Sequence, residues 1–79
     1  MKTSSVLKAF AKIGYQPITD GKRRYSFVNE KHEVYFINQE GEATCLHVRR
    51  LEDESDVMTD YFAGWFPHSL KNAIAYFNE

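Results

Sequence analysis

Cys45 and His47 stand two positions apart in the segment TCLHVRR, the spacing in this chain best suited to covalent chemistry. Alternate residues of an extended strand project from one face, so an imidazole there can draw the proton from a thiol and expose a nucleophilic thiolate. The commoner outcome of such a pair is a packed cysteine beside a surface histidine. Carboxylates are also at hand in Asp53, Glu54, Asp56 and Asp60. General acid–base work needs a cleft that excludes water, and a short acidic run is expected to be solvated. The sequence therefore nominates no catalytic residue, and the chain reads as a non-enzyme.

Metal and cofactor chemistry find no pattern either. His32, His47 and His68 are scattered, Cys45 is the only cysteine, and no HxxxH or CxxC occurs. Asp53-Glu54-Ser55-Asp56 lacks the alternating oxygens and central glycine of a calcium loop. Gly14, Gly21, Gly41 and Gly64 are isolated, so there is no glycine-rich phosphate loop. No metal and no cofactor are expected.

Binding remains, with two candidate surfaces. RRYSFVNE at 23–30 loosely echoes a strand of an RNA-binding sheet, a basic residue followed by alternating aromatics. Arg23, Arg24, Arg49 and Arg50 are expected to form a basic strip, with Tyr35 or Phe36 as a stacking platform. Against this, the net charge is −1, and the arginines have cross-strand partners available in Glu33 and Glu42. The second surface is DVMTDYFAGWF at 56–66, where Asp56 and Asp60 precede Tyr61, Phe62, Trp65 and Phe66. A chain this short needs most of those aromatics in its core, with Gly64 turning the backbone. Any of Tyr61 or Trp65 left exposed beside Asp56 and Asp60 would anchor a protein partner.

The elements that must position these residues follow from periodicity. Val6, Phe10 and Ile13 form an apolar stripe that predicts a helix over 5–13, capped by Ser4 or Thr3 and ended by Gly14. Pro17 limits residues 15–18 to an edge segment at most, and Asp20-Gly21 marks a turn. Strands are predicted over 23–28, 33–38 and 44–51, the middle one apolar on both faces. The links at 29–32 and 38–41 are short enough for hairpins. Glu52 to Asp56 reads as a solvated loop. Leu70, Ala73, Ile74 and Phe77 predict a closing helix over 69–77, capped by His68 or Ser69. The expected fold is α+β in the order α-β-β-β-α, a three-stranded antiparallel meander with both helices on one face.

Residues 1–79 read as a single small domain, with aromatics at 15% to compensate for limited burial. One cysteine permits no internal disulfide, which suits a reducing cytoplasm. Lys8 and Lys12 interrupt the apolar N-terminal segment, arguing against a signal peptide, and no apolar run nears the roughly 20 residues that span a bilayer. A monomer is expected, or a homodimer that buries a leftover sheet face.

The segment VRRLEDESDVMTDYFAGWFPHSLKNAI at 48–74 resembles one found in small proteins of phages and plasmids, and is similar to modules associated with the large polyvalent proteins of such elements. The shared features are the basic strand end (Val48, Arg49, Arg50), the acidic bend, the D-Y-F-x-G core at Asp60 to Gly64, and a short closing helix. The resemblance implies a phage, prophage or plasmid origin and an accessory role, and carries no activity with it. The expected function is thus a non-enzymatic module that binds another protein, the alternative being a nucleic-acid-binding accessory protein.

Overall fold

The computed structural model describes residues 1–60 and 68–79. The expectations for Tyr61, Phe62, Gly64, Trp65 and Phe66 lie outside the described residues. The elements are α1 (Thr3–Lys12), β1 (Ile18–Thr19), β2 (Arg24–Val28), β3 (His32–Gln39), β4 (Glu42–Arg50), β5 (Asp56–Asp60) and α2 (Ser69–Phe77). The strands form one sheet in the order β1-β2-β3-β4-β5, each antiparallel to its neighbour. The fold is α+β, as expected, but the sheet has five strands instead of three.

Among the described residues both extra strands lie at the edges, and each has a local cause. β1 is only two residues, Ile18 and Thr19, paired with Ser26 and Tyr25. The Asp20 carboxylate holds the turn after it, accepting the backbone N–H groups of Lys22 at 2.8 Å and Arg24 at 3.2 Å. β5 replaces what read as the end of an acidic loop. Asp53 Oδ1 accepts the Ser55 N–H at 3.1 Å and the Ser55 hydroxyl at 2.7 Å, while Glu54 takes φ +58°. The Arg50 N–H then donates to the Ser55 carbonyl at 2.9 Å. The bend is therefore a tight hairpin, and Asp56 is the first residue of a strand.

The β3–β4 hairpin is tighter than the four residues expected. Only Glu40 and Gly41 lie between the strands, at φ +51° and +88°. Two successive positive φ values are the signature of a type I′ turn, whose twist matches that of the strands.

One face of the sheet carries the core. Phe27, Val34, Phe36, Leu46 and Val48 are fully buried there, together with Val6 and Phe10 of α1 and Ala73 and Phe77 of α2. Phe10 stacks on Phe27 with ring centroids 4.1 Å apart and meets Phe77 edge-on at 5.4 Å. Rings of this size bury the most apolar surface a short chain can offer, so this trio joins both helices to the sheet.

The helix ends differ from the expected caps. Lys2 and His68 occupy the N-cap positions, and neither makes a side-chain cap. Thr3 and Ser69 instead spend their hydroxyls on long-range bonds. Thr3 Oγ1 donates to Asn38 Oδ1 at 2.7 Å, and Ser69 Oγ donates to Asp60 Oδ2. Ile13 falls outside α1, 38% exposed, and Thr3 takes its place on the buried stripe with Val6 and Phe10. Gly14 does end α1 at φ +92°: its N–H bonds to Ala11 and that of Tyr15 to Phe10, a Schellman arrangement.

Two asparagines join helices to hairpins. Asn38 Oδ1 also accepts the Gly41 N–H at 3.0 Å, so one side chain links the start of α1 to the β3–β4 turn. Asn29 Oδ1 accepts the N–H groups of Lys31 and His32, while its Nδ2 donates to the Phe77 carbonyl at 2.8 Å.

Candidate interaction surface

Strand alternation sends every second side chain of the sheet away from the helices. The register aligns Ile18, Ser26, Tyr35, His47 and Thr59 in one row across all five strands. A second row runs Val28, Glu33, Arg49 and Asp56. These rows, with Arg24 of β2 beside the first, lie on the helix-free face, and their contacts decide what it can do.

Tyr35 lies at its centre. The His47 ring, on β4, is parallel to it with centroids 4.6 Å apart, and the Arg24 guanidinium, from β2, sits 4.2 Å from the ring centroid. The two neighbours come from opposite sides, so both π-faces of Tyr35 are covered. Burial pushes the Tyr35 hydroxyl above its ordinary pKa, and the nearby Asp56 charge adds to this. Burial likewise holds His47 below its ordinary value, with Asp56 opposing and Arg24 assisting. Thr59 Oγ1 lies 3.3 Å from His47 Nδ1.

Glu33 organises the charges on this face. Its Oε1 accepts Arg49 Nη2 at 2.8 Å and lies 3.8 Å from Arg24 Nη2. Arg49 also reaches Glu54 at 3.7 Å. Among the described residues, Arg49 Nε and His32 Nδ1 are buried with no hydrogen-bond partner.

The four arginines expected in a strip are divided. Arg24 and Arg49 share the helix-free face, both committed to Glu33. Arg23 precedes β2, beside Lys22, Asn38 and Gln39. Arg50 pairs across from His32 and reaches Asp53 at 3.7 Å. Phe36 is excluded as a stacking platform because it is fully buried on the core face. Hydrophobic burial claimed one aromatic and ring stacking the other.

The Cys45–His47 pair is also altered. Tyr35 opposes His47 but Ile37 opposes Thr44, so Cys45 is the extra residue of a bulge, with φ +53°. A bulge breaks the alternation that would have set thiol and imidazole side by side. No composition signal marks such an insertion, since it arises from the pairing of two strands.

Asp56 is exposed at the start of β5, and Asp60, half-buried at its end, accepts the Ser69 hydroxyl. Between them, β5 and α2 flank a groove of about 590 Å³ lined by Val57, Met58, Thr59, Asp60, Ser69 and Tyr76, among others. Glu52, Asp53 and Glu54 lie in the turn that leads into β5. Asp53 is held below the usual carboxylate range, first by the Ser55 hydroxyl and then by the Ser55 N–H, so the hairpin keeps its charge. The edge strand and groove were hidden in the sequence because acidic residues dominate both ends of DVMTD.

Among the described residues, no group of three or more His, Cys, Asp or Glu side chains is placed to hold a metal ion. No described helix is long and apolar enough to cross a membrane. Compared with family models, curated proteins and solved structures, the chain matches none of them.

Proposed function

We propose that the protein is a non-enzymatic interaction module that binds another protein, acting as an accessory protein of a phage, prophage or plasmid. The observation that carries this reading is the β4–β5 hairpin. It holds Asp53 and Glu54 in place and sets them with Glu52 and Asp56 beside β5, where among the described residues Arg49 and Arg50 are in ion-pair contact with them. Acidic groups held in place, next to half-buried Val57 and Met58, suit a protein partner better than a polyanion. The accessory role rests on the resemblance of residues 48–74 to mobile-element proteins.

The alternative, nucleic-acid binding, is supported by Arg24 and Arg49 on one sheet face. It is weakened by Glu33 between them and by the covered faces of Tyr35. Stacking of a base on Tyr35 would require displacing Arg24 or His47.

The discriminating experiment compares wild type with the charge-reversed variant Glu52→Lys/Glu54→Lys/Asp56→Lys in capture from host lysate and in a single-stranded DNA and RNA shift assay. A partner held by wild type and lost by the folded variant supports the reading. Retention of every captured protein removes the acidic hairpin as the surface. A salt-dependent shift by wild type that Arg24→Ala/Arg49→Ala abolishes would favour the nucleic-acid alternative.

A further inference from the structure

We infer that β5 accepts an extended, basic segment of the partner as an added strand, seated against the groove between β5 and α2. The inference rests on the protein-binding reading and names its chemistry. Among the described residues β5 is paired on one side only, by β4. Counting along the ladder from the Arg50 N–H to Ser55 carbonyl bond, with Val57 as the extra residue of a bulge, the backbone groups of Asp56 and Thr59 point away from β4. An unpaired row of donors and acceptors is a template for another strand.

The other sheet edge is not equivalent. β1 is two residues long and follows Pro17, which has no N–H to donate, so that edge is blunted. β5 is longer, and it has a helix beside it to receive side chains.

Charge identifies the occupant. Glu52, Asp53, Glu54 and Asp56 line the start of the edge and its hairpin, where among the described residues Arg49 pairs with Glu54 and Arg50 with Asp53. A second copy of the chain pairing edge to edge would set this acidic rim against itself, which costs free energy for like charges across strands. A cationic segment gains where a second copy loses. Its alternate side chains would meet two environments. Those on the α2 side face Val57, Met58 and the 38% exposed Tyr76, and those on the other side face Glu54 and Asp56. The preferred sequence therefore alternates apolar and basic residues.

The test uses the intact chain and a short peptide alternating Val and Lys, with two controls: the same peptide N-methylated on alternate amides, and a Val–Glu peptide. Amide chemical shifts are followed by NMR. The Val–Lys peptide should bind, with shifts confined to 56–60 and 68–76, and the Val–Glu peptide should not. N-methylation keeps side chains and charge but blocks backbone pairing, and should weaken binding by about tenfold. Thr59→Pro, which removes an outward N–H, should produce a similar loss if the variant folds. Failure of the Val–Lys peptide to bind, equal binding of the N-methylated peptide, or shifts centred on Arg24 and Tyr35 would overturn strand addition. If the charge-reversed variant still loses its native partner in those cases, the protein-binding reading stands and only the mode is wrong.

Discussion

The rings of Tyr35 and His47 lie 4.6 Å apart with 6° between their planes, a parallel pair formed across β3 and β4. The pair fills the middle of the helix-free face, so the residue that most resembled a nucleic-acid platform is engaged by its own sheet. The same contact commits the histidine of the only promising thiol–imidazole spacing. One cross-strand pair thereby constrains two of the functions that the residue types had suggested.

His47 gives a pH prediction. Its pKa in the folded protein is below the ordinary 6.5, chiefly through burial, so the unfolded chain binds the proton more readily. The contribution to stability is complete above pH 6.5 and declines as pH falls from there through the lower folded pKa. Urea melts across that window should show this loss in wild type and its reduction in His47→Gln. An NMR titration of the ring should give a midpoint below 6.5.

Glu33→Gln should destabilise the fold by about 1–2 kcal/mol, less than the loss on breaking a fully buried pair because Arg24 and Arg49 stay partly exposed. Chemical denaturation measures it. Restoration by Arg49→Met in the Glu33→Gln background would identify the uncompensated guanidinium as the cause.

Asn38→Ala should cost about 1–3 kcal/mol, because it leaves the buried Thr3 hydroxyl without its acceptor and frees the Gly41 N–H. Thr3→Val in the same background should recover part of the loss. Hydrogen exchange should quicken at the start of α1 and in the β3–β4 turn while the β4–β5 ladder keeps its protection.

The turn at Glu40-Gly41 gives substitutions of opposite sign. A Cβ added at Gly41 meets nothing within 4 Å, so Gly41→Ala carries only the cost of φ +88°, about 1 kcal/mol. Glu40→Asn, a residue better suited to φ +51°, should stabilise by a few tenths to about 1 kcal/mol. Thermal melts of the two variants should move in opposite directions.

Local pattern was sufficient for much of this molecule. The apolar stripes of α1 and α2 and the alternation in β2, β3 and β4 each depend on neighbours a few positions away, and they located the elements to within a few residues. Gly14 and the Asp20-Gly21 turn were legible for the same reason, since each answers a backbone demand made on the spot. Tertiary structure decided the rest. β5 exists because Asp53 and Ser55 close a hairpin that returns DVMTD to β4, and strand pairing is a relation between distant segments. The bulge at Cys45 belongs to the register of β3 against β4, which neither strand specifies alone. The division of Arg23, Arg24, Arg49 and Arg50 likewise follows from which face each strand turns to the core. Residue types and local pattern specify which positions are charged, aromatic or apolar and where the chain turns. Only the folded sheet determined which of them meet, because side chains far apart in sequence compete for the same partners and burial settles the competition.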